Sequence, residues 1–247
     1  MKQKNYCLMS KIKPYNNSES KKEQITKMFD NIEENYDIQN HSLSFGLDNL
    51  WRKTAIKELT NKPKKILDIA TGTGDFAISA AKYTKAQITG IDISKGMLDV
   101  GNKKITTRKL GNRITLKQAD SEDLPFKDNS FQGMTAGFGI RNFENLQKGL
   151  KEMYRVLANN GIVAILEPST PKYFPLKQFY NFYFHHILPK IGSFISKDKD
   201  AYKYLPESVD AFPSGDKFIT ELKNAGFNRC KHVPLTLGIV SLYIAIK

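Results

Sequence analysis

Short apolar runs alternate with amphipathic stretches along most of this chain. Residues 66–70 (Ile-Leu-Asp-Ile-Ala) read as a buried strand, and 76–81 (Phe-Ala-Ile-Ser-Ala-Ala) open a helix just after it. Strand-like runs recur at 87–92, 114–120, 131–136 and 162–166. Between the last two, Leu146, Leu150, Met153, Tyr154 and Leu157 share one helical face, and Asn159-Asn-Gly161 is expected to end that helix. Strands alternating with helices predict an α/β fold, a mostly parallel sheet with helices on both faces. Residues 216–247 predict one more helix and two strand-like runs, paired as an antiparallel hairpin at the sheet edge.

Two regions break the alternation. Ahead of the first strand, Ile25, Met28, Phe29 and Ile32 have helical spacing, and 43–51 lead into a second helix through Leu59, so 24–60 are expected to be N-terminal helices. Residues 1–20, rich in Lys, Asn and Ser without periodicity, predict a disordered tail, leaving 21–247 as a single domain. The second break is a helical insertion over 171–211, in which 173–184 hold seven aromatic residues out of twelve. It follows the fifth strand, near the sheet edge where such folds bind ligands. A helical cap packed by these rings is the plain reading, and a lid over an apolar substrate is the functional one.

At 247 residues the chain can bury a full core. No apolar run approaches the roughly 20 residues of a membrane span, and the N-terminus lacks an apolar signal segment, so a cytoplasmic location is expected. Cys7 and Cys230 read as reduced thiols without metal-ligand spacing. The adjacent His185 and His186 would point to different sides of a helix, and no metal is expected. The net charge of +13 is mostly lysine, since only six of the 38 basic residues are arginine. Specific phosphate recognition favours the arginine fork, so the charge reads as compositional, with lysines scattered on solvated faces. Weak attraction to anionic lipid is its expected functional trace.

The candidate chemistry lies at the strand ends. Gly72 and Gly74 form a turn between the first strand and its helix, where backbone N–H groups can approach a ligand. Asp92 closes the second strand about 20 residues on, the position from which an acid reaches ribose hydroxyls. Asp68 and Asp120 occupy related places on the first and third strands. Three carboxylates suit a ligand with a cationic end, a ribose diol and an adenine amine, which describes S-adenosylmethionine; they would repel the diphosphate of a nicotinamide dinucleotide. The expected cofactor-binding set is Asp68, Gly72, Thr73, Gly74, Asp92, Ile93, Asp120 and Ser121, with Asp92 on the ribose and Asp120 and Ser121 at the adenine edge.

These residues resemble the class I S-adenosylmethionine-dependent methyltransferases, whose Rossmann-like fold has seven strands. The chain is more closely similar to the C-methyltransferases of menaquinone and ubiquinone biosynthesis. That similarity rests on Met28-Phe-Asp, Tyr36-Asp37, Ser44-Phe-Gly46, Leu50-Trp-Arg52, the strand–turn run 68–75, the loop Phe138-Gly-Ile-Arg-Asn142, and Tyr202-Lys-Tyr-Leu-Pro-Glu-Ser-Val209. The chain departs from the pattern at Ala158-Asn-Asn-Gly161, at Pro168 after Glu167, and at Gly137. The resemblance implies methylation of a ring carbon of a prenylated quinol, a demethylated naphthoquinol on the form of 201–209, with a benzoquinol as the alternative. It is compatible with peripheral contact at the inner face of a membrane and with a homodimer, and it leaves no role for nucleic acid. The acceptor carbon becomes nucleophilic when the neighbouring hydroxyl loses its proton, and a fixed cation favours that loss. Arg141 is the candidate cation, with Asn142 and Tyr36 positioning the oxygen. An RNA methyltransferase would suit the charge, but the Asn/Asp-Pro-Pro-aromatic turn of amine methylation is replaced here by Gly-Phe-Gly-Ile-Arg-Asn, and neither cysteine is placed as a nucleophile. A non-catalytic S-adenosylmethionine-binding protein would have no need of Arg141-Asn142.

Overall fold

The computed structural model describes residues 9, 11–33, 36–187 and 199–247. Cys7, most of the tail before residue 11 and positions 188–198 of the insertion lie outside the described residues. The chain runs α1 (Lys21–Ile32), α2 (Tyr36–Leu43), α3 (Asp48–Lys57), β1 (Lys65–Ile69), α4 (Asp75–Tyr83), β2 (Gln87–Asp92), α5 (Lys95–Thr107), β3 (Ile114–Gln118), β4 (Phe131–Gly137), α6 (Leu146–Val156) and β5 (Leu157–Pro168). It continues with α7 (Leu176–Phe182), α8 (Lys199–Ala211), α9 (Asp216–Asn224), β6 (Asn228–Leu235) and β7 (Val240–Ile246).

The strands form one sheet in the order β3-β2-β1-β4-β5-β7-β6. β1 to β5 pair in parallel, while β7 is antiparallel to both β5 and β6. The seven-stranded, mostly parallel Rossmann-like sheet is therefore present, with β7 inside the hairpin edge. Strand order reverses at β1, where β2 and β4 leave on opposite sides and a crevice opens beyond the strand ends. Alternation along β1 sends Ile66 to one face and Leu67 and Ile69 to the other. On the Ile66 face, Trp51, Ala55 and Ile56 of α3 and Phe76, Ala77 and Ala80 of α4 complete the core. On the opposite face it is completed by Leu150 and Met153 of α6 with Phe218 and Leu222 of α9. A third cluster joins Ile25 and Met28 of α1 to Ala201 and Tyr204 of α8, so the N-terminal helices and the insertion pack together.

Three local expectations are corrected. Residues 11–20 are not an unstructured tail. The Tyr15 N–H donates to Gln24 Oε1, and Ser20 caps α1 in a reciprocal capping box with Glu23, so the helix starts at Lys21 rather than at Gln24. The N-terminal helices among the described residues number three rather than two: the expected second helix is α3, and α2 precedes it, set off by Phe45 and Gly46, which both adopt positive φ. Residues 159–161 do not separate helix from strand. β5 begins at Leu157, opposite Phe131, and Asn160 at φ 60° lies beside a register shift in that pairing.

Candidate active site

At the end of β1 the chain must turn sharply into α4. Gly72 and Gly74 adopt φ 54° and 80°, left-handed values that disfavour a Cβ, and Gly74 is the N-cap of α4. A Cβ on Gly72 would point into open space, so that face of the turn is free to receive a ligand. Ala70 and Phe138, at the ends of the adjacent β1 and β4, also have positive φ, 49° and 61°. Each costs roughly 1 kcal/mol, and such strain collects where structure serves a site.

Three connected spaces open over these strand ends. The first is lined by Gly72, Asp92, Ile93, Asp120 and Ser121 below and by Lys22, Ile25 and Phe29 of α1 above. The second, smaller, is lined by Asp68, Gly72, Thr73 and Asp75. The third is an apolar cleft of about 500 Å³ between the N-terminal helices and the insertion, walled by Met28, Phe45, Trp51, Leu176, Phe179 and Tyr183 among others. Tyr36 and Phe138 belong to the walls of all three.

The buried Asp92 carboxylate accepts from Gly72 N–H at 2.8 Å and Ser94 N–H at 2.9 Å. Burial raises its pKa, and these N–H groups pull it back. A carboxylate has about four acceptor positions, so about two remain for a ligand diol. With the open face at Gly72, that donor-and-acceptor set fits the ribose of S-adenosylmethionine. Asp68 is wholly buried, accepts from Thr71 and Thr135 hydroxyls at 2.5 and 2.6 Å, and is pushed up to about 6 by burial against those hydrogen bonds. It therefore braces the loop as well as flooring the small space. Asp120 accepts from Lys22 Nζ at 2.5 Å and Glu122 N–H at 2.8 Å.

Two members of the expected set are placed differently. Gly74 is absent from the linings of the spaces over Asp92 and Asp68 and serves the turn and the cap. The Thr73 hydroxyl lines the small space but is committed to Asp37 at 2.5 Å. Asp37 is in turn paired with Lys104, which also binds Asp75. Beside them, His41 lies 2.8 Å from Asp48 and 3.4 Å from Asp75, and Arg52 binds Asp48 at 2.5 Å. His41, Asp48 and Asp75 are close enough to hold a metal ion, but Arg52 and Lys104 already neutralise the carboxylates. The network ties α2 and α3 to the turn after β1.

On the loop after β4, Arg141 is nearly buried and borders the cleft. Its Nη1 donates to Phe138 O and to Glu167 Oε2, the latter at 3.2 Å. Glu167 Oε1 accepts the backbone N–H groups of Ile140 and Arg141. Burial raises the Glu167 pKa and Arg141 opposes it. Arg141 Nε is buried without a hydrogen-bond partner among the described residues. Asn142 lines the space over Asp92 and accepts Tyr204 O–H at 3.0 Å. Burial holds the Tyr36 phenol up at about 12, against the pull of Arg141 and Arg52.

The ubiE/COQ5 methyltransferase family model matches residues 17–247. The chain belongs to that family. It is 46% identical over 239 residues to the demethylmenaquinone methyltransferase of Bacteroides fragilis, covering 96% of this chain and 98% of that one. It is 47% identical over 230 residues to a ubiquinone/menaquinone biosynthesis C-methyltransferase of Geotalea daltonii, covering 92% and 97%. An S-adenosylmethionine-dependent methyltransferase structure from Thermotoga maritima shares the fold with a TM-score of 0.65 at 20% identity, covering 90% of this chain and 99% of that one.

This chain is thus an S-adenosylmethionine-dependent methyltransferase. Sequence reasoning missed Lys22, Glu167 and the Asp37–Lys104 pair, each of which meets its partner from at least 26 residues away. No local spacing carries that information. Glu167 at the end of the fifth strand was the one discoverable member, since it ends a parallel strand as Asp68 and Asp92 do.

Proposed function

We propose that the chain methylates a ring carbon of a demethylated prenyl naphthoquinol, giving menaquinol. The observation supporting this most directly is the junction at Tyr36 and Phe138, where the spaces over Asp92 and Asp68 meet a large apolar cleft bordered by Arg141. The B. fragilis relative, similar over nearly its full length, is named for demethylmenaquinone methylation.

S-adenosylmethionine, when bound, supplies a methyl group already activated by its sulfonium. Asp92 holds the ribose hydroxyls, Asp120 and Ser121 meet the adenine edge, and Asp68 faces the ammonium end. The quinol ring lies at the Tyr36–Phe138 junction, with its prenyl tail along the cleft. The remaining N–H groups of Arg141 favour loss of the quinol hydroxyl proton, and Glu167 holds the guanidinium in place. Methyl transfer would exchange the methyl's bond to sulfur for a bond to the ring carbon. The ring C–H proton would then pass to water to restore aromaticity, and the quinol oxygen would take a proton back from water, so that one proton is released overall. Asn142 and Tyr36 position the quinol oxygen. Since the substrate's tail partitions into lipid, the protein works in peripheral contact with a membrane.

The test is a methyl-transfer assay offering demethylmenaquinol, a demethylated benzoquinol and tRNA in parallel. Transfer to the naphthoquinol is expected. Preference for the benzoquinol would move the reaction to the ubiquinone branch, and transfer to tRNA alone would overturn the proposal.

A further inference from the structure

Large apolar side chains left in solvent gather where three segments meet the cleft. In the α2–α3 turn Phe45 is 85% exposed; after β5, Tyr173 and Phe174 are 76% and 81% exposed; at the β6–β7 tip Leu237 is 76% exposed. Each segment also supplies cleft wall, through Phe45 and Leu47, through Leu176 and Phe179, and through Thr236 and Ile239. Phe45 and Leu237 sit at φ 51° and 57°, left-handed positions where Gly or Asn would be less strained. The fold accepts that strain to display a large apolar group at each tip.

Charge follows the same boundary. The chain has 25 acidic residues, yet 169–197 and 222–247 contain none. In 38–57 the one acid, Asp48, is buried and paired with Arg52. Exposed Lys172 and Lys177 flank the apolar residues after β5. The positive charge is therefore not evenly scattered, because acids are excluded from the segments around the cleft mouth. Protruding apolar tips whose own segments carry basic residues and no free acids match the interface of an anionic bilayer, while the acids Asp200, Glu207 and Asp210 belong to α8, which forms another wall of the cleft. A second copy of the same face would meet like charge, and phosphate recognition on nucleic acid favours arginine over the lysines found here.

We infer that the rim of the cleft is a bilayer-docking face on which Phe45, Tyr173, Phe174 and Leu237 enter the interfacial layer of an anionic membrane while the lysines contact its headgroups. This rests on the quinol reading above and adds the surface through which the tail is drawn from lipid. Tyr173 and Leu237 lie outside the cleft lining, so they separate docking from substrate binding.

The test is co-sedimentation of the full chain with phosphatidylcholine vesicles, with and without phosphatidylglycerol. The wild type should bind the anionic vesicles preferentially and release at high salt. Tyr173→Ser with Leu237→Ser should weaken that binding by about tenfold or more, since each buried apolar side chain contributes on that scale. The same variant should lose turnover of vesicle-borne prenylated quinol and keep turnover of a short-tail quinol in solution. Vesicle binding is read without catalysis, so a wrong quinol assignment would leave it intact. No wild-type preference for anionic vesicles, equal binding by the variant, or a wild-type dimer that the variant dissolves would each overturn the docking face.

Discussion

Lys21 offers a direct test of how α1 is attached. It is 1% exposed at the first position of the helix, the end whose dipole disfavours a cation. Its Nζ donates to the carbonyls of Met9, Phe143 and Arg141 at 3.0, 3.1 and 3.4 Å, and its own N–H donates to Glu144. Burial, with the Arg141 charge second, lowers its pKa from 10.5 to about 8. That difference corresponds to about 3 kcal/mol against the charged form. Because the unfolded state holds the proton more tightly, stability rises as pH increases from about 8 to 10.5; below that window the full penalty applies, and above it none does. Urea unfolding of wild type and Lys21→Met across this range checks it, as the difference between them removes titrations they share. The wild type should gain up to about 3 kcal/mol relative to the variant. Parallel stability curves would show that Lys21 is not the buried cation described.

Asp92→Ala should weaken S-adenosylmethionine binding at least roughly tenfold by calorimetry, since it leaves ligand hydroxyls unpaired; unchanged affinity would remove Asp92 from the ribose site. Arg141→Lys keeps the charge but loses the fork, so turnover at neutral pH should fall and the rate profile move to higher pH; full turnover would reject the phenolate role. Phe179→Ala or Tyr183→Ala should impair use of long-tailed quinols more than short-tailed ones in steady-state assays. Equal loss on both, with a lower melting temperature, would reduce these rings to packing.

The strands were legible because local physics determines them: an apolar run, a glycine turn, an acid at the strand end. Asp92 and Gly72 could be assigned to one site in advance, since parallel strands joined by a helix bring such ends together. The aromatic segment was legible as a cleft wall for the same reason of position. What stayed hidden was pairing without period. Nothing near Lys22 points to Asp120, and nothing near Thr73 points to Asp37. Lys21 reads like any surface lysine of a basic chain until the helix docks and buries it. The Phe45–Gly46 break was hidden too, because a phenylalanine at positive φ contradicts local preference and no spacing in the sequence marks it.

The placement of α1 has a consequence for traffic through the enzyme. Its Lys22, partly in solvent, borders the space over Asp120, whereas exposed Phe45 and Phe179 border the cleft. The two compartments share walls at Tyr36 and Phe138 but reach solvent beside different side chains. With the docking face proposed above against a membrane, spent cofactor would leave to water beneath α1 while the cleft faced lipid. One visit to the membrane would then serve many turnovers, with quinols moving between bilayer and ring site without crossing the aqueous phase.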